Sequence, residues 1–338
     1  MVTLKKICKI SMVLVGTIVG AGFASGREII DFFLIFGNKW RFGLVIAAIL
    51  FTVCCIKIIE FSRKNSIDTY SAFMRKLLGN KLGGAMEWVS GIFLCVLFYA
   101  MTSASGASAR EAFGLHPSIG VFVILIFSFI VFLFDSRGIV LVNMILSPIL
   151  LIAGIYLGIT YYNTSIVSVF NYNDNIKWIF YSILYVSYNL ITIIPVLVPL
   201  SKIGPGKKTS VVSGATAGLL LAFLGIAIGV VLYSKLLEAS SSQIPMLTAS
   251  SLYSKNAAMI YKFLLISAIL TTAIGNGFAA IKWVESKLCI NPLYIRIGLV
   301  LTAALASTIS FSGFVSIIYP FFGYLGIIEI IFILLLRK

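Results

Sequence analysis

Apolar runs of about 20 residues recur along the whole of this 338-residue chain, and nothing else in it constrains the fold as strongly. A run of that length is what an α-helix needs to cross a bilayer, whereas a transmembrane β-strand takes about 10 residues of alternating polarity. The runs here are continuously apolar, which excludes a barrel. Hydrophobic residues make up 60% of the chain and charged residues 11%, with a mean hydropathy of +1.08. Soluble domains hold roughly 45–50% apolar and 25% charged residues. The polar interruptions leave no room for a separate soluble domain. The expected fold is an all-α integral membrane protein, a single domain over residues 1–338.

Windows of about 20 apolar residues give ten expected spans. They cover residues 8–36, 41–61, 83–111, 117–134, 139–161, 175–200, 210–233, 257–283, 292–310 and 313–336. Between the seventh and eighth lies "SKLLEASSSQIPMLTASSLYSKN", too polar to span, with a short surface helix expected from Ile244 to Leu252. The net charge of +15 is explained by topology. Sixteen of the 26 Lys and Arg fall on one side of the ten spans, seven on the other, and Lys57, Lys262 and Arg296 lie near or within spans. The positive-inside rule then puts both termini in the cytoplasm, as an even span number requires. A nucleic-acid partner is not expected, because the basic residues are scattered over short loops rather than gathered on one soluble face. Lys5, Lys6 and Lys9 before an apolar stretch mimic a secretion signal, but the run resumes after Asp31 and is expected to be retained. The plasma membrane is the expected location, with lipid and a small-molecule substrate as partners and no cofactor beyond a possible coupling sodium ion; the oligomeric state is left open.

Five scattered cysteines carry neither a CxxC nor a zinc spacing, and the single histidine, His116, sits in a turn beside Pro117. No HExxH or GxSxG motif is present, so an intramembrane enzyme is not indicated.

The first span contains "VGTIVGAGFASGREI", Val15 to Ile29, with Gly20, Gly22 and Gly26 in seven residues. Spacings of two and four fail the dinucleotide fingerprint, and no strand precedes them. Two GxxxG pairs, Gly16 with Gly20 and Gly22 with Gly26, fit close helix packing. The functional alternative is a discontinuous helix whose glycines allow the backbone to unwind inside the membrane. "SGRE" then reads as a capping box in which Ser25 and Glu28 cap each other's backbone N–H and restart the helix. Such a restart aims free N–H groups at a carboxylate, and the broken first half offers carbonyls to a cation. Five spans on, "WIFYSILYVSYNLITIIPVLVPL" carries Tyr185, Ser187, Tyr188 and Asn189, then Pro195 and Pro199, and is expected to be interrupted as well.

"GTIVGAGFASGREI", the interrupted sixth span and the ten-span plan resemble the YkvI-like bacterial membrane proteins. That family looks related to the amino acid, polyamine and organocation transporters with the LeuT fold. The resemblance covers essentially the whole chain. It implies a 5+5 inverted repeat, with a first repeat over about 8–161 and a second over about 175–336, discontinuous helices 1 and 6, and alternating access around a central site. For the substrate it implies unwound backbone at Thr17, Ile18, Ala21 and Gly22, faced by Ser187, Tyr188 and Asn189, with a hydroxyl from Tyr99. "GTIVGAG" resembles the G-x-x-V-G-x-G of sodium-coupled members, which implies carbonyl ligands from Gly16 and Val19. "AILTT" matches their eighth-span spacing, nominating Ala268, Thr271 and Thr272. Some proton-coupled relatives place a lysine on the fifth span, and residues 139–161 contain none.

The expected function is secondary active transport of a small zwitterion, an amino acid above all, coupled to sodium. A permease-like nutrient sensor, or a carrier of a nucleobase or other nitrogenous solute, are the alternatives. Lys57 and Glu60 are expected to pair at the end of span two, Glu329 to lie near the interface, and Arg27 with Asp31 to belong to an external gate.

Overall fold

The computed structural model describes residues 2–133, 156, 160, 176–202 and 206–336, and all regular structure among them is helical. Among the described residues, six helices are long and apolar enough to cross a membrane: Leu34–Lys64, Tyr70–Phe113, Lys177–Leu200, Lys207–Tyr233, Lys255–Lys287 and Phe311–Leu335. Pro117–Leu133 and Pro292–Ala306 are shorter and equally apolar. The chain is a multi-pass membrane protein. The fifth expected span, 139–161, lies outside the described residues except for Tyr156 and Thr160.

The first apolar run is three pieces. Helix α1 covers Val2–Ile18, α2 is the single turn Ala21–Ala24, and α3 is Arg27–Phe32. A tight 3-10 stretch, Leu34–Lys39, leads into α4, Trp40–Lys64. Helix α5, Tyr70–Phe113, is bent at Gly79, whose φ of 81° suits a residue without a Cβ. Helix α6 is Pro117–Leu133, α7 Lys177–Leu200 and α8 Lys207–Tyr233. The polar connector forms α9, Leu236–Ser240, and α10, Pro245–Tyr253. Helix α11 is Lys255–Lys287, α12 Pro292–Ala306, and α13 spans Phe311–Leu335 through a π-helical turn at Phe314–Ile318.

Lipid tails are as apolar as leucine, so helices in a bilayer associate through close packing rather than through the hydrophobic effect. The α4–α8 pair does this with a glycine stripe. Gly214, Gly218, Gly225 and Gly229 of α8 meet Ile56, Thr52, Leu44 and Trp40 of α4; a Cβ on Gly218 would lie 2.0 Å from Thr52 Oγ1. Gly323 and Gly326 bring α13 onto α7 in the same way, with Gly326 against the Ser187 carbonyl.

Three expectations are corrected. Helix α7 is continuous from Lys177 to Leu200, so only the first span is discontinuous among the described residues. Part of the polar patch that suggested a break bonds within its own helix: Ser187 Oγ donates to Ile183 O (2.7 Å), Asn189 Nδ2 to Tyr185 O (2.9 Å) and, beyond it, Thr192 Oγ1 to Asn189 O (2.8 Å). Lys57 does not pair with Glu60. Its ammonium donates to the carbonyls of Leu334 and Leu336 at the end of α13 (2.6 and 2.8 Å), while Glu60 takes Arg63 (2.8 Å). Glu329 is not an exposed charge but fully buried within the protein, because Gly323 and Gly326 draw its face of α13 inward; Tyr70 Oη donates to its Oε1 at 3.4 Å.

Candidate functional site

The unwinding is written in the hydrogen bonds around Gly20. Its N–H turns to Ile18 O (2.8 Å) instead of Gly16 O, and the N–H of Ala21 goes across to Thr272 Oγ1 on α11 (3.3 Å). The carbonyls of Gly16 and Thr17 are thereby released by their usual donors four residues on. Gly20 itself fits closely, since a Cβ there would lie 3.2 Å from Thr272 Cγ2.

The restart differs from a capping box. Gly26, at φ 80°, is the cap of α3; Ser25 Oγ donates to Gly22 O (2.8 Å) and accepts from the N–H of Arg27 (3.2 Å). The N–H of Ser25 is used by Ala21 O (2.7 Å), so Glu28 has no role there. Its side chain turns inward instead and lies against Gly22, where a Cβ would come within 2.0 Å of Glu28 Oε1. Glu28 is 5% exposed, and its Oε2 has no hydrogen-bond partner. The Tyr185 and Tyr188 hydroxyls face this carboxyl from α7 and are themselves buried without a hydrogen-bond partner.

Glu28 opens onto a cavity of about 40 Å³ between the break, α5, α7, α11 and α13. That is room for a few waters or a very small solute in this conformation. The lining includes Thr17, Ile18, Gly20 and Gly22 from the break, Phe93, Leu97 and Met101 from α5, and Tyr188, Asn189 and Thr192 from α7. Thr272 and Asn276 of α11 and Tyr319 of α13 complete it. Thr17, Ile18, Gly22, Tyr188 and Asn189 are thus brought together around one space. Ala21 is buried behind it on Thr272. Two expected residues stand elsewhere. Ser187 points back along α7, and Tyr99 is hydrogen-bonded to Thr302 of α12 (2.8 Å), because it lies on the outward face of α5.

Of the expected ion ligands, Thr272 sits at the break and Thr271 is beside it, its hydroxyl donating to Ser267 O (3.0 Å) and Ala268 O (3.1 Å). The Thr271 oxygen keeps its lone pairs. Glu28, Phe93, Thr192, Asn276 and Tyr319 are cavity residues that the sequence reading did not nominate. Asn276 had a signal: it lies four residues beyond Thr272, on the same helical face. Glu28 had one too, as a carboxyl inside an apolar run.

The connector covers the site. Arg27 binds Asp31 (3.0 Å) and donates to the carbonyls of Ser240 (3.0 Å) and Ser242 (3.3 Å), while Met246 N–H donates to Ser25 O (2.9 Å). Tyr261 of α11 donates to Ala24 O. Glu111, at the end of α5, accepts from Ser242 Oγ (2.7 Å) and from the backbone N–H of Gln243 (2.9 Å) and Ile244 (3.1 Å). Helix α10 is therefore not a free surface helix. Pro245, Met246, Leu247, Ala249 and Ser250 are buried against the restart region.

No family model matches the chain. It is 28% identical over 322 residues to the Bacillus subtilis membrane protein YkvI, covering 94% of this chain and 92% of that one. To the protein YyaD of the same organism it is 24% identical over 337 residues, covering 96% and 95%. Among solved structures, a mutant of the Eremococcus coleocola manganese transporter superposes with a TM-score of 0.65 at 11% identity, over 96% of this chain and 77% of that one. The inward-facing conformation of Mhp1 gives 0.54 at 14% identity, over 94% and 72%. The fold is that of the LeuT-like transporters. Similarity to YkvI extends over nearly the full chain.

Proposed function

We propose that the chain is an alternating-access secondary transporter of a small zwitterionic, amino-acid-like solute, coupled to sodium. The observation that carries this is the polar cavity at the break in α1, enclosed by α5, α7, α11 and α13. Broken helices in such folds expose backbone groups at the bilayer midplane, where a solute and an ion can be held together. The covering connector, tied to Arg27 and Glu111, supplies a barrier on the side read as external. Pairing of the second span (α4) with the seventh (α8) supports two structural repeats around the site. Both termini in the cytoplasmic compartment of a plasma membrane complete the reading.

The sodium ligands proposed are the carbonyls of Gly16, Val19 and Ala268 with the hydroxyls of Thr271 and Thr272. Supporting this, Gly16 O is released from its helix and Thr272 already touches the break. Hard oxygen donors of this kind suit an alkali cation. A manganese-like cargo is less well supported, since no group of three or more His, Cys, Asp or Glu gathers among the described residues. Uptake of labelled amino acids into proteoliposomes under an inward sodium gradient, against choline, tests the reading. Accumulation only in sodium is expected. Equal accumulation in both would remove sodium from the account, and no accumulation of any amino acid would remove the amino-acid substrate.

A further inference from the structure

Among the described residues, the cavity has one charged side chain: Glu28 lines it, and no described Lys or Arg does. The nearest arginine in sequence, Arg27, is committed to Asp31 and to the connector carbonyls. A buried carboxyl faced only by two tyrosine hydroxyls is costly in a membrane interior unless something neutralises it. The place beside Gly22, which a substrate carboxylate would need in order to reach the restart of the helix, is occupied by this same carboxyl. An incoming carboxylate would meet another carboxyl there.

Beside Glu28 three rings form a corner. Phe93, Tyr188 and Tyr319 all line the cavity and touch one another pairwise, with centroids 6.2, 5.9 and 5.2 Å apart. Phe93 stands nearly perpendicular to both tyrosines, at 80° and 84°. One face of Phe93 is stacked on Phe322 (4.4 Å), and aromatic rings lining a small space can attract a cation through their quadrupoles, more so where water is absent. Leu97 and Met101 add apolar wall for short alkyl groups.

We propose that this cavity recognises its substrate by an organic ammonium group, held between the Glu28 carboxylate and the corner of Phe93, Tyr188 and Tyr319, and does not require a carboxylate on the substrate. The inference rests on the transporter reading and replaces its amino-acid-like solute with a small amine. The hydroxyls of Thr17, Thr192 and Thr272 and the amides of Asn189 and Asn276 are the acceptors left for the ammonium N–H groups. The space of about 40 Å³ limits the ligand to a few heavy atoms unless the cavity widens.

The test is calorimetric titration of the purified full-length protein in detergent with ethylammonium, glycine and propionate at constant ionic strength. Ethylammonium is expected to bind saturably, glycine more weakly and propionate not at all. Glu28→Gln, nearly isosteric, should weaken ethylammonium by about tenfold or more, and Phe93→Leu by about fivefold, with Tyr188→Phe close to the parent because it keeps the ring. If Glu28→Gln does not fold, Phe93→Leu against Tyr188→Phe still decides. Glycine or propionate binding without ethylammonium, or full affinity in Phe93→Leu, overturns the proposal. Sodium-driven amino-acid uptake alongside failed ethylammonium binding would overturn this inference alone, whereas ethylammonium binding without flux of any amine or amino acid would overturn the transporter reading and leave the site.

Discussion

Gly22→Ala separates the site from the scaffold. A Cβ at this position would come within 2.0 Å of Glu28 Oε1 and 2.8 Å of its Cδ, while ordinary contact begins at 3.4 Å. The carboxyl must therefore retreat by about 1.4 Å, the difference between 3.4 and 2.0 Å. Tyr185 and Tyr188 bound it on the α7 side, so it moves into the cavity. The atom displaced is the end of a flexible side chain, and no left-handed backbone is involved. Alanine also gains ~0.5–1 kcal/mol over glycine in a helix, which offsets the local crowding. Folding stability should stay within ~1 kcal/mol of the parent, a shift of about 2–4 °C for a domain of roughly 150–250 residues and no larger here. Affinity for ethylammonium should fall by about tenfold, equivalent to ~1.4 kcal/mol. Thermal unfolding in detergent and the titration described above measure the two effects on one preparation, with Gly298→Ala as a control because a Cβ there meets nothing within 4 Å. Unchanged affinity in Gly22→Ala would refute the position assigned to Glu28. A fall in stability of several kcal/mol with proportionate loss of binding would show that the two cannot be separated.

Further outcomes follow from the same contacts. Thr271→Val with Thr272→Val keeps shape while removing two hydroxyls, and should abolish the difference between sodium and choline buffers in substrate affinity; by reciprocity that difference should amount to roughly 1–3 kcal/mol in the parent. Lys57→Met removes two hydrogen bonds to the last carbonyls of α13 and should lower stability by ~1–3 kcal/mol in thermal unfolding, with Glu60→Gln much milder because Lys57 is not its partner. Glu111→Gln weakens three bonds to Ser242, Gln243 and Ile244, so hydrogen exchange should rise over Leu236–Tyr253 and not over α4.

The spans were legible because bilayer thickness sets a length that the sequence must meet, and the expected limits 41–61 and 210–233 fall on α4 and α8, while 292–310 meets only the shorter α12. The break at Gly20 was legible too, since glycine clusters inside a span have few purposes. The seventh helix of the fold misled for a physical reason. Ser187, Asn189 and Thr192 look identical in sequence whether or not their helix is broken, and here all three bond back to carbonyls of an intact helix, Asn189 and Thr192 while also lining the cavity. Glu28 was misplaced because "SGRE" fits a capping box by spacing alone, yet a left-handed Gly26 ends the turn one residue later and swings the carboxyl inward. Glu329 was judged from its distance to the chain end, whereas its burial is decided by Gly323 and Gly326 pulling α13 against α7. No single helix carries that information.

The central claim is that the cavity at the break in α1 is reached alternately from the two sides of the membrane. Thr192 lines it and is partly exposed, so Thr192→Cys in a chain whose five cysteines are replaced by serine or alanine gives a reporter that needs no known substrate. In oriented proteoliposomes, a membrane-impermeant thiol reagent added to one side and then, in a parallel sample, to the other should label this cysteine from both. Ethylammonium should slow both reactions. Labelling from one side only, under every ligand and ion condition, while cysteines at Ser234 and Lys287 report their own faces normally, would contradict alternating access.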